Sequence, residues 1–275
     1  MSAVQPNKAL NFLKQNAIYF VLLILLIIII AQDPSFLSLR NFSNILTQSS
    51  VRLIIALGVA GLIVTQGTDL SAGRQVGLAA VISATLLQAM DNMNKVFPNL
   101  AEMPIPLVVL IICGIGAIIG LFNGFVIAYL NVTPFIATMG TMIIIYGINS
   151  LYYDAVGSSP IAGFSGSFSD FAQGFFRIGG FKLSYITIYA AIATVIMWIL
   201  WNKTRFGKNV FAIGGMSFAG GVGTIIGVVT GVLIFTVINY GLTYIGVNPY
   251  WQYIIKGGII VLAVAIDSLK YAKKK

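Results

Sequence analysis

The longest uninterrupted apolar run decides the class of this chain. Residues 107–130 hold 24 consecutive positions without a charge, with Asn123 the one amide among them. At about 1.5 Å of rise per residue, a helix of that length crosses a hydrocarbon core of roughly 30 Å. Seven further apolar segments lie near 17–31, 45–64, 76–90, 135–151, 183–201, 222–238 and 249–266. Only 8% of the 275 residues are charged and 58% are hydrophobic, whereas a soluble domain carries roughly 25% charge. A water-facing surface cannot be built from that stock without large apolar patches. The chain reads as all-α, a single polytopic transmembrane bundle over 1–275 with about eight crossings.

Absent residues narrow the chemistry. Without histidine, imidazole bases, triads and imidazole zinc sites are excluded. The single cysteine, Cys113, sits in an apolar run, cannot form an intrachain disulfide, and reads as a small buried residue. No G-x-x-x-x-G-K-[ST] loop occurs, so nucleotide hydrolysis is not expected of this chain. No nucleophile–base pair or metal cluster stands out either, which argues against an enzyme.

The net charge of +9 sits beside apolar runs and reads as a topology signal rather than a nucleic-acid surface. Lys8 and Lys14, then Lys203, Arg205 and Lys208, then Lys270, Lys273, Lys274 and Lys275 make nine of the 16 basic residues. No acid lies within those three segments. Both termini and the 202–209 loop are therefore expected in the cytoplasm, and eight crossings give the required parity. The first apolar run reads as an uncleaved signal anchor, because no small residue stands two before Ala31. A bacterial inner membrane fits this pattern.

Residues 38–52 place Leu39, Phe42, Ile45 and Leu46 at helical spacing, with Asn41, Asn44, Gln48 and Ser49 between them. The expectation is an interfacial amphipathic lead-in, from which the short apolar stretch 53–64 borrows length to cross. The 65–75 stretch then sets Gly67 and Gly73, as helix breakers, among Gln66, Thr68, Asp69, Ser71, Arg74 and Gln75. Irregular backbone at membrane depth survives only against protein or a water-filled cavity. Short glycine-interrupted segments point to a transporter's pathway. The functional reading is a discontinuous helix lining a polar conduit, with Asp69 and Arg74 paired or facing water. The competing reading is a polar turn at the cytoplasmic surface.

Other polar positions allow the same two readings. Asn123, Asn149, Asn239 and Gln88 either contact a passing solute or bond between helices. Asn123 and Asn239 join Gln66, Thr68, Asp69, Ser71 and Arg74 as candidate pathway residues. Lys256, about two turns into the last span, either snorkels outward or lines the conduit. Gly114, Gly116, Gly120 and Gly124 repeat as Gly221, Gly223, Gly227 and Gly231 at an offset of 107. That spacing is expected of an inverted repeat or of close helix packing.

These residues resemble a known family. The stretch Thr65-Gln66-Gly67-Thr68-Asp69-Leu70-Ser71-Ala72-Gly73 is similar to the G-x-D-L-S-x-G signature of sugar permeases in ATP-binding cassette importers. Leu130-Asn131-Val132-Thr133-Pro134-Phe135 resembles the family's turn, and Thr204-Arg205-Phe206-Gly207-Lys208 its basic cytoplasmic loop. Asn239-Tyr240-Gly241 through Asn248-Pro249-Tyr250-Trp251-Gln252 looks like its late spans. The likeness covers nearly the whole chain and is strongest to galactose/methyl-galactoside and ribose-type members.

The resemblance implies a pathway through the lipid bilayer formed with a second permease subunit. A periplasmic sugar-binding protein would dock outside and two ATPase subunits would act inside. This chain would carry no cofactor of its own, since ATP is used by a partner, and would bind no nucleic acid. Lys203, Arg205, Phe206, Gly207 and Lys208 would form the ATPase-facing loop. The chain also departs from the family. Where the family continues past the equivalent of Gly214-Gly215 with a Glu-Ala-Ala coupling loop, this chain runs into Met216-Ser217-Phe218. The missing part amounts to about two crossings with their loops. Impaired coupling is therefore expected, with an ATP-independent carrier or channel, or a non-transporting fragment, as alternatives.

Overall fold

A computed structural model describes residues 17–65, 67–215 and 224–272. Lys8, Lys14, Gln66, Gly221, Gly223, Lys273, Lys274 and Lys275 lie outside the described residues, as does the chain immediately after Gly215. The described residues form ten helices and one hairpin. In order these are α1 (Ala17–Gln32), a 3-10 turn (Pro34–Leu37), α2 (Leu39–Val64), α3 (Ala72–Leu86), α4 (Ile105–Tyr129), α5 (Pro134–Ala155) and α6 (Gly166–Gln173). Then follow β1 (Phe175–Ile178), β2 (Phe181–Ser184), α7 (Tyr185–Lys203), α8 (Arg205–Gly215), α9 (Ile225–Tyr244) and α10 (Pro249–Ala272). Among the described residues, α2, α4, α5, α7 and α9 are long and apolar enough to cross a membrane unaided. The all-α reading holds, and the small hairpin is its one exception.

Most of the apolar surface of these helices is left unburied. In α4 only 6% of the most apolar window is buried, and Leu110, Ile118 and Leu121 lie open. Such a surface is stable only where the solvent is hydrocarbon. Cys113 belongs to that exposed face, so its expected burial is corrected: it faces outward from α4.

The expected interfacial lead-in is corrected too. Residues 39–52 are the first half of one continuous helix, α2, of 26 residues. Its inward face is mixed: Asn41 (5% exposed), Ser49 and Ile45 are buried, while Asn44, Gln48, Leu39 and Phe42 are exposed. The segment is thus continuous with the apolar stretch it leads into, and the whole helix is long and apolar enough to cross a membrane.

The chain packs as two compact units. The first contains Met1–Arg52, Arg177–Leu183 and Val229–Lys275. Its core joins Ile29, Phe36 and Ile45 to Leu26, Tyr240 and Tyr244. A second cluster joins Ile234, Ile238 and Leu242 to Leu22 and Leu25. Gly241 lets α1 approach α9, since a Cβ there would strike the end of Ile29. Tyr240 Oη donates to Asn41 Oδ1 at 2.7 Å and accepts from Asn44 Nδ2 at 3.0 Å. At the end of α1, the hydroxyl and N–H of Ser35 hold the Asp33 carboxyl below its ordinary pKa.

The second unit contains Leu53–Phe176 and Ser184–Val228. Here α3 packs on α4 and α5. The expected span near 76–90 is only a 15-residue helix, about 22 Å long and short for a full crossing. It stops at Leu86 because the next residues pair elsewhere. Ser165 N–H donates to the Leu87 carbonyl at 3.0 Å and Ala89 N–H to the Gly163 carbonyl at 2.8 Å. Gln88, considered as a solute contact, is 2% exposed and ties this strap to Ala162 and Val96. The stretch between α5 and α7 carries α6 and the hairpin.

The 202–209 segment is a helical elbow rather than a loop. Thr204 ends α7, and its Oγ1 accepts from Gly207 N–H at 3.3 Å at the start of α8. Trp201, 3% exposed, packs edge-on against Phe211 at 5.8 Å. Gly207 is indispensable to this corner, because any Cβ would fall inside the Trp201 carbonyl. Gly73 is the opposite case, with nothing within 4 Å of the place a methyl group would take. Two substitutions test these placements by thermal unfolding in detergent. Gly207→Ala is expected to cost about 1–3 kcal/mol through forced overlap. Gly73→Ala is expected to stabilise α3 by about 0.5–1 kcal/mol, the ordinary gain over glycine inside a helix.

Candidate functional site

The break between α2 and α3 is a defined structure built from its own residues. Gly67 N–H reaches back to the Leu62 carbonyl at 2.8 Å and Thr65 N–H to Gly61 at 3.3 Å. Gly67 sits so close that a Cβ would lie 3.3 Å from the Leu62 oxygen, which explains glycine at the end of α2. The interruption covers 65–71. Gly73, expected as a second breaker, lies inside the first turn of α3.

Ser71 is the hub of the turn. It has no exposed surface. Its hydroxyl donates to Asp69 Oδ1 at 2.6 Å and accepts from Gln75 Nε2 at 2.9 Å and Asn123 Nδ2 at 3.3 Å. One donor and two lone pairs are all a serine hydroxyl has, so the group is fully used. Asp69 Oδ1 also accepts the Ser71 N–H at 2.8 Å, a local turn that aspartate favours. Asn123, from α4, passes the network on by accepting from Thr141 Oγ1 of α5 at 2.6 Å. Thr138 Oγ1 accepts from Leu70 N–H at 3.2 Å, and its proton is shared between the Pro134 carbonyl at 2.8 Å and the Thr68 carbonyl at 3.2 Å. Two helices thus hold the turn from both of its backbone directions.

The candidate pathway residues fall into different settings. Ser71 and Asn123 are buried and committed to protein partners. Thr68 is exposed and Asp69 half-buried. Asp69 and Arg74, expected as a possible ion pair, do not meet: Asp69 serves Ser71, while Arg74 lies 4.6 Å over the Tyr146 ring. Asp69 and Gln75 supply the polar edge of a groove of about 380 Å³ whose other walls include Ile54, Leu62, Val76 and Cys113. Gln66 lies outside the described residues. In the other unit, Asn239 is within α9 and its Oδ1 accepts from Lys256 Nζ at 2.8 Å. Lys256 therefore reaches inward to α9 rather than snorkelling. Asn149 Oδ1 is buried without a partner among the described residues.

The basic segment presents a charged face. Lys203 closes α7 with its Nζ 5.5 Å from the Trp198 ring. Arg205, Phe206 and Lys208 are exposed on the first turn of α8, and Gly207 is buried beneath them. The row Gly114, Gly116, Gly120 and Gly124 has no neighbour within 4 Å of a hypothetical Cβ, so it does not serve helix packing among the described residues. One residue was missed by sequence reasoning. Arg52 donates to Thr236 Oγ1 at 3.1 Å from the middle of α2. A lone cation midway along a span was the available signal, obscured by assigning 38–52 to an interface.

The network makes a direct prediction. Asn123→Ala strips Ser71 and Thr141 of a shared partner and should lower stability by about 1–3 kcal/mol, the cost of stranding buried polar groups. Thermal unfolding in detergent measures it, and Arg74→Ala, which loses only an exposed cation–π contact, should cost about 0.5–1 kcal/mol.

The chain also aligns with proteins of known kind. It is 67% identical to the galactose/methyl galactoside import permease protein of Haemophilus influenzae, over all of both chains. It is 62% identical to the protein of that name from Escherichia coli, again over all of both. The ribose import permease protein of Bacillus subtilis is 30% identical over 91% of this chain and 92% of its own. The first two alignments run over 336 positions for 275 residues, so 61 positions (336 minus 275) have no residue here. No solved structure matches the chain. The relatives are transport components and not enzymes. The family described as branched-chain amino acid transport system / permease component matches residues 41–219, well over half of the chain, and this multi-pass membrane protein belongs to it.

Proposed function

We propose that the chain is the permease subunit of an ATP-binding cassette importer for a monosaccharide, galactose or methyl galactoside. The observation that carries this reading is 67% identity over the full length of a galactose/methyl galactoside import permease. The subunit sits in a bacterial inner membrane with eight crossings and both termini cytoplasmic. It forms the pathway with a second permease subunit, receives sugar from a periplasmic binding protein, and is driven by two ATPase subunits that consume the ATP. Gln66, Thr68, Asp69, Arg74 and Asn239 border the route, while Ser71 and Asn123 hold the 65–71 turn in place. Lys203, Arg205, Phe206 and Lys208 face the ATPase, supported by their exposure on a rigid elbow.

Coupling in this chain is impaired. The Glu-Ala-Ala loop that the family's pattern places after Gly215 is absent from the sequence. The 61 alignment positions without a residue are about the size of two crossings with loops. Without that contact, closure of the ATPase has no lever on the pathway.

Reconstitution into proteoliposomes with the partner ATPase and binding protein tests both parts, using radiolabelled galactose. ATP is expected to drive uptake by the Haemophilus influenzae relative and not by this chain, whose sugar entry should be the same with ATP or ADP. Full ATP-driven uptake by this chain would overturn the coupling claim. Failure of either protein to pass galactose would overturn the permease reading.

A further inference from the structure

Two cations in the first unit stand where charge is expensive. Arg52 is midway along α2, with about 18–20 Å of helix on either side. Lys256 lies about two turns into α10 (Pro249–Ala272). Arg52 donates to Thr236 Oγ1 at 3.1 Å, and Lys256 donates to Asn239 Oδ1 at 2.8 Å. Thr236 and Asn239 are three positions apart on α9 and share one face of that helix. Two helices therefore bring positive charge to a single stripe, about one turn apart. Neither cation meets a carboxylate among the described residues. Their partners are a hydroxyl, an amide and, for Lys256, the Tyr253 ring at 4.8 Å.

This arrangement is costly unless it has a use. Like charges one turn apart repel, and an intramembrane cation normally faces the bundle interior or a water-filled cavity. Thr236, the partner of the Arg52 head, has no exposed surface. Both cations are half-buried. A guanidinium has five N–H donors, and one of them meets Thr236. The stripe is thus a positively charged section of the bundle.

We propose that Arg52 and Lys256 form a cation-excluding filter along the route of a neutral polyol. A fixed positive field leaves an uncharged solute unaffected and raises the barrier for protons, sodium and potassium. The filter rests on the reading of this chain as a sugar permease. It adds a task that sugar transport alone does not require, which is to keep a water-bearing path from discharging the membrane.

The test uses proteoliposomes holding the full chain with its ATPase partner. Proton and potassium leak are read with a pH-sensitive dye, chloride leak with a halide-quenched dye, and galactose equilibration with radiolabel. Arg52→Gln and Lys256→Gln should each raise cation leak on the order of tenfold to a hundredfold, with the double substitution highest. Arg52→Lys and Lys256→Arg, which keep the charge, should stay near the parent. Chloride leak should not rise in the glutamine variants, because removing positive charge does not ease anion passage. Unchanged cation leak, in variants that still equilibrate galactose, would overturn the filter alone. A parallel rise in chloride leak would overturn it as well, by indicating a nonspecific hole. If the unsubstituted chain passes no galactose, the pathway reading falls and the filter with it.

Discussion

A polar group in hydrocarbon must find its partner inside the protein, and nearly every local choice in this chain follows from that. The cost of an unpaired amide or hydroxyl in an apolar medium is several kcal/mol. That cost places several polar side chains of α2 against protein. Asn41, Ser43, Ser49 and Ser50 point inward while Leu39 and Phe42 point outward. It also accounts for the closed hydrogen-bond set around Ser71, in which every valence of the hydroxyl is used. Hydroxyls on single helices solve the problem locally. Ser49 and Thr194 each bond the carbonyl four residues back.

The same constraint gives the 65–71 turn its character. A free chain break inside a membrane would expose several backbone groups at once. Here Thr138 takes one N–H and satisfies one carbonyl, and Asp69 takes another N–H. Thr138 stands in the first turn of α5, so the break lies level with the short 131–133 connection between α4 and α5. At the far end of α3, the Gln88 strap closes the opposite side against residues 162–165. The second unit thus has a polar closure at each end and apolar walls between them. Asp69 enters this design as the one acid bordering an otherwise mostly apolar groove.

Much of this was legible in the sequence, and the exceptions have physical causes. Long apolar runs set the positions of α4, α5, α7 and α9 to within a few residues, because nothing but a helix can bury its backbone in lipid. The 65–75 stretch shows itself as an interruption through its glycines and polar residues. Its anchoring does not, since Asn123, Thr138 and Thr141 come from distant segments and carry no local signal. The start of α2 reads as a separate interfacial segment from sequence, because helical periodicity reports that two faces differ and not where one helix ends. Gly207 counts with a basic loop by composition, although its packing under Trp201 makes the elbow possible. The expectation of a missing segment after Gly215 comes only from family resemblance, as the glycines there leave no break in composition.

On the proposed reading, a permease without the coupling block would retain a binding face for partners and lack the part that transmits their motion. The two cations held against α9 belong to the retained portion. All of this depends on the 65–71 turn being a closure at one membrane face, with the 88–104 strap at the other. The most direct measurement is two-sided thiol labelling. Single cysteines are placed at Thr68 and at Met93, which is 99% exposed, in a Cys113→Ala background. Each protein is treated with a membrane-impermeant maleimide in right-side-out and in inside-out vesicles. The two positions are expected to label from opposite sides, Thr68→Cys from the cytoplasmic one. Labelling of both positions from the same side would contradict the account.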